Sequence, residues 1–137
     1  MKPIGLARAL LVGLAVFFFG CGDGGGQPIE LRSELKTEPA PQGPAVAPDI
    51  HVEGKNLVIR VPMTLPDPCH KVVHKAKMEG GEIFVSLQIE NPPAGTICIQ
   101  VLTTVIATVT LFDLPSGTDT LTLQTPLQTT QQTVRIP

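Results

Sequence analysis

The chain has no Trp and no Tyr, and five Phe residues are its whole aromatic complement. Stacking on nucleobases or sugar rings has almost nothing to work with. Charge is scarce and balanced, with 10 basic and 12 acidic residues and a pI near 5.9. Nucleic-acid binders carry a basic face or stripe, and none is visible, so no nucleic acid is expected as a partner. Phosphate-cradling glycine motifs are missing too. The Gly-rich "CGDGGGQ" at residues 21–27 precedes no strand–helix unit and reads as linker. Serines after residue 48 are Ser86 and Ser116 alone. Ser86 lies mid-strand on a polar face, and Ser116 sits in the turn "LPSGT" without the strand-to-helix context of a nucleophile elbow. The chain is therefore read as no enzyme, with no catalytic residue and no cofactor assigned.

Long apolar runs are equally scarce. The longest, "ALLVGLAVFFFG" at residues 9–20, follows Lys2 and Arg8 and ends at Cys21. Twelve residues rise about 18 Å as a helix, against roughly 30 Å for a bilayer core. A basic start, a short apolar stretch and a small residue before the end make a secretory signal. "FFGC" resembles the lipobox of bacterial lipoproteins, with Phe18 and Phe19 departing from the usual Leu and Ala or Ser. That resemblance implies cleavage after residue 20, lipidation of Cys21, and attachment to a membrane through the N-terminal lipid. It also implies an exported protein facing the periplasm or the outside. The alternative is ordinary cleavage leaving a free thiol.

Residues 21–48 carry repeated Gly and Pro and no apolar period. This is tether composition, expected to be disordered. Within it, "IELRSELK" at residues 29–36 has the length of two helical turns, too few to be stable alone. The expected domains are a signal peptide at 1–20, a tether at 21–48 and one folded domain at 49–137.

The folded part alternates with period two. Leu57, Ile59, Val61 and Met63 alternate with more polar neighbours, as do Ile83, Val85 and Leu87, and Val105, Ala107, Val109 and Leu111. Such alternation marks strands with one buried face. Turn signals "EGKN", "EGGE", "NPPAG" and "LPSGT" separate them. The spacing predicts an all-β chain, an antiparallel immunoglobulin-like sandwich of seven or eight strands.

With Cys21 assigned to lipid, Cys69 and Cys98 remain, an even number outside the cytoplasm. They are expected to form a disulfide closing a loop of about 30 residues, a large stabilisation for a small domain. Residue parity puts both on the more polar side of their strands, Cys69 with Lys71, Lys75 and Lys77, and Cys98 opposite Ile97, Ile99 and Val101. The bridge is thus expected near one end of the sandwich. His70 and His74 share a strand face about 13 Å apart, too far for one ion. Metal binding through His51, His70, His74 and reduced cysteines is the minor reading, and no metal ligand is assigned. The lysine stripe reads as a solvated or edge-protecting face. Phe84 and Phe112 either cover the second sheet face or form a small contact patch.

The layout "DPCHKV", "GGEIFVSL", "GTICIQV" and "LPSGTDTLTL" is similar to small bacterial envelope lipoproteins with an immunoglobulin-like domain and two cysteines. The resemblance covers residues 66–125 and brings no functional residues with it. The resemblance says little about activity, and a lipid-anchored sandwich on a tether is read as a non-enzymatic interaction or accessory module of the cell envelope, with a protein partner. The alternative is an inhibitor of an extracytoplasmic protease, acting through a loop such as "NPPAG" or "LPSGT".

Overall fold

The computed structural model describes residues 28–44 and 47–137. The expected signal peptide at 1–20 and the expected lipidation site Cys21 lie outside the described residues. Nine strands run in chain order: β1 (Ile29–Glu30), β2 (Ser33–Pro39), β3 (Asp49–Glu53), β4 (Asn56–Leu65), β5 (Lys71–Glu79), β6 (Glu82–Glu90), β7 (Thr103–Leu111), β8 (Gly117–Gln124) and β9 (Thr129–Ile136). One sheet has the order β1-β5-β6-β8-β9, the other β2-β7-β4-β3. The described residues are all-β, as the alternation predicts, and the two sheets stack as a sandwich. Seven strands fall within residues 49–137, matching the expected number. All pairings are antiparallel except β6 with β8, which run parallel with Ile83 opposite Leu121.

The inward stripes meet between the sheets. Leu57, Ile59, Val109, Leu111, Ile83, Val85, Leu87 and Leu121 are fully enclosed there, joined by Val134 and Ile136 of β9. Each such side chain contributes about 1.5–3 kcal/mol by leaving water. The hairpin β5–β6 turns through Gly80 and Gly81, at φ 55° and 79°, with Glu79 opposite Glu82. Two consecutive left-handed residues make the tight turn whose twist suits a hairpin.

The tether expectation needs correction. Residues 29–39 are part of the sandwich: Ile29 pairs with Met78 in one sheet, and β2 then pairs along its whole length with β7 in the other, from Ser33 opposite Leu111 to Pro39 opposite Val105. Prolines 28 and 39 flank this stretch and do not interrupt it. Leu31 and Leu35 pack against the core, while Glu34, Lys36 and Glu38 face water. A weak helical preference yields to a complete ladder on an open sheet edge. Beyond it, Ala40 donates its N–H to the carbonyl of Thr104 at 3.0 Å. Residues 40–44 then border a hollow on the outer face with Pro62, Leu102 and Ile106.

The pairings also fix two ends. At one lie the β5–β6 turn, the N-terminal strand β1 and the C-terminal Pro137, whose carbonyl accepts from Ser116 Oγ at 2.8 Å. At the other lie the turn 66–70, the connection 91–102 and the β8–β9 turn at 125–128. Nine residues of β5 separate the ends, about 30 Å.

Candidate functional site

The end opposite β1 gathers the unusual chemistry. Asp67 is the one charged side chain buried among the described residues. Its Oδ1 accepts from the N–H of Cys69 at 2.9 Å, the N–H of His70 at 3.2 Å and Nδ1 of His70 at 2.8 Å. The turn "PDPCH" thus wraps around one carboxylate. The His70 hydrogen bond, together with the backbone donors, holds the Asp67 carboxyl below the usual carboxylate range. A carboxylate with several donors prefers its charged form despite burial.

Cys69 and Cys98 are bonded, with Cα atoms 6.1 Å apart. The expected disulfide is therefore present in the structure. Asp67, Cys69 and Cys98 bring ligand-type atoms within 4.8 Å of one another. With the sulfurs joined and Asp67 Oδ1 occupied by three donors, this cluster is built as a brace.

The histidines are held separately. His70 belongs to the Asp67 turn, just ahead of β5. His74 Nε2 lies 2.8 Å from Ser33 Oγ, linking β5 of one sheet to β2 of the other. His51 stands on edge strand β3 between Asp49 and Glu53, at 2.9 and 3.0 Å. Hydrogen bonds to Glu53 and then Asp49 raise its pKa above the ordinary imidazole value. Lys71, Lys75 and Lys77 face solvent, as their parity predicts. Lys77 Nζ sits 5.3 Å from the Phe84 ring centre, and Arg32 sits 4.9 Å from that of Phe112. Both rings are half-buried under cations, on the outer faces.

The second correction concerns "GTICIQV". Its alternation predicts a strand, yet residues 91–102 form no strand. Pro92 and Pro93 lack N–H donors, and Gly95 takes φ 87°. Neither strand that the segment joins has a free side. β6 is flanked by β5 and β8, and β7 by β2 and β4. The segment is left as a loop with Ile97 98%, Ile99 73%, Val101 54% and Leu102 75% exposed. Its backbone bonds stay local, from Thr96 N to Pro93 O and from Val101 N to Ile99 O. The Cys98 bridge ties its middle to the Asp67 turn.

The loop 91–102 and the turn 125–128 at this end carry no charge. No charged residue occurs from Asn91 to Phe112, nor from Thr125 to Val134. Leu127 in the β8–β9 turn is 94% exposed. Interface cores have this character, with charge depleted and apolar surface raised. The sequence signal was present in the long uncharged stretch 91–112, and strand-like alternation masked it.

The family model of the ORF11 beta-sandwich domain matches residues 59–135, from β4 to β9. The chain belongs to this family. The match includes the Asp67 turn, both bridged cysteines and the exposed loop, and leaves β1–β3 outside. No curated protein and no solved structure matches the chain.

Proposed function

We propose that this member of the ORF11 beta-sandwich family is a bacterial envelope lipoprotein. In this reading it is a lipid-anchored interaction module with no catalytic activity, which holds an apolar loop toward a protein partner. The observation that carries the reading is the loop 91–102: four aliphatic side chains stand in water on a segment fixed at its centre by a disulfide. Leaving them exposed costs solubility, and a fixed loop loses less entropy on binding.

The lipobox-like "FFGC" supports the anchor. Six residues lie between Cys21 and Pro28, a span of at most about 25 Å when extended. Since β1 enters at the β5–β6 turn, an anchor at Cys21 sets that end toward the membrane. The loop then points away from it, by about 30 Å. This orientation favours a protein partner over the anchoring bilayer. Replacing Cys21 by Ser should move the protein from the membrane to the soluble fraction and remove the acyl mass. Continued membrane attachment sinks the anchor. The pair Ile97→Ser and Ile99→Ser should leave membrane attachment intact while weakening partner capture.

The braced, proline-containing loop favours one second reading, inhibition of an extracytoplasmic protease by insertion of Ile97 and Ile99 into an active-site cleft. Failure of the protein at micromolar concentration to slow envelope proteases removes that reading.

A further inference from the structure

The two sheets part along one seam, where edge strands β3 and β9 face each other. Near the loop end this seam opens into a groove of about 450 Å3. Ile50, Val61, Met63, Ile89 and Leu123 form its apolar floor, and Thr130 and Gln132 of β9 form one wall. Along β9 the inward positions run Thr130, Gln132, Val134, Ile136, and only the last two are buried. The apolar floor thus lacks apolar cover over half of the strand.

The sheet edges differ in their protection. β3 carries Asp49, His51 and Glu53 joined in one hydrogen-bonded row. β2 carries Glu34, Lys36 and Glu38 and ends in Pro39, and β1 has two residues. Charge, proline and brevity are the devices that block strand addition. β9 has none of them from Thr129 to Val134. Among the described residues it pairs with β8 alone, so among them its other side has no ladder partner along about 27 Å.

We propose that the β9 edge and the adjoining groove form a binding site for an extended peptide segment of a partner. The segment adds to β9 as a further strand, and its alternate aliphatic side chains enter the groove. Main-chain hydrogen bonds supply affinity in such strand addition, and pockets for alternate residues supply specificity. A second copy of this chain fits less well. Its own β9 would bring Thr130 and Gln132 to an apolar groove. The site is separate from the loop 91–102 and does not depend on the anchor at Cys21.

The C-terminus provides the test, because Pro137 lies at the end from which an added strand would run antiparallel along β9. The full chain is extended after Pro137 by a Gly-Asn-Gly turn and the strand Thr-Val-Thr-Val-Thr-Val-Thr. A control replaces each Val of the extension by Ser. The reading is amide hydrogen exchange of β9 together with the thermal midpoint. The Val extension should slow the β9 amides not bonded to β8 by roughly tenfold or more and raise the midpoint, while the Ser extension should do neither. Equal protection by both extensions overturns the role of the groove. Protection by neither overturns the site. Protection in the unextended chain that grows with concentration assigns the edge to a second copy and also overturns the proposal.

Discussion

Replacing Cys69 and Cys98 together by Ser removes the one covalent tie between the loop 91–102 and the sandwich. The bridge closes a sequence separation of 29. For that loop the chain-entropy treatment gives about 12 cal/mol/K, or about 3.6 kcal/mol at room temperature. This is an upper figure. The loop forms no ladder, so the unbridged native state regains some freedom that a strand would not. A loss of about 2 to 3.6 kcal/mol is expected, against a net stability of roughly 5–15 kcal/mol for a domain. In urea, with a slope of about 1.5–2 kcal/mol/M, the midpoint should fall by about 1 to 2 M, and the slope should rise somewhat because the unbridged unfolded chain exposes more surface. The thermal midpoint should fall by roughly 10 to 25 °C. Far-ultraviolet circular dichroism below the midpoint should be unchanged, because the core between the sheets does not include either cysteine. A urea midpoint within error of the parent refutes the stabilising role of the bridge. Loss of sheet signal in the folded baseline refutes the separation of loop from core.

Other outcomes follow from the turns. The depressed pKa of Asp67 adds stability that is fully present above the unfolded value of about 3.8 and is lost as pH falls through the lower folded value. Asp67→Asn should flatten thermal stability against pH in that acid window; an unchanged acid slope would exclude the Asp67–His70 contact as its source. His51 has the opposite sign. Its raised pKa adds stability below the ordinary imidazole range that fades as pH rises through the folded value. His51→Gln should remove that part of the dependence near neutrality, an effect kept small by exposure. Gly80→Val puts a β-branched residue at φ 55° and should cost about 1–2 kcal/mol in urea unfolding. A neutral result would mean the turn rearranges.

Much of the fold was legible because period two is a strong signal wherever one face is buried. The inward stripes of β4, β6 and β8 are the alternating residues themselves. Two segments escaped for opposite reasons. In β2, Leu35 is the chief apolar side chain of a charged edge strand, so composition resembled a tether and only pairing with β7 reveals it. In 97–101, alternation was present, but β6 and β7, the strands this segment joins, are each flanked on both sides already. Local pattern states what a segment can do, and competition for ladder positions decides what it does. The bridge was legible from the cysteine count together with the expectation of export. The Asp67 hub was not, since a buried carboxylate in "PDPCH" looks like any turn acid until its three donors are placed.

The most direct test of the account compares the two ends of the sandwich in intact cells. A photocrosslinking amino acid is placed at Ile97 or Ile99 in the loop, and at Glu79 or Gly81 at the opposite end. The account expects a discrete protein adduct from Ile97 and Ile99, with none from Glu79 or Gly81. Adducts to lipid from the loop, or protein adducts from the opposite end alone, would contradict it.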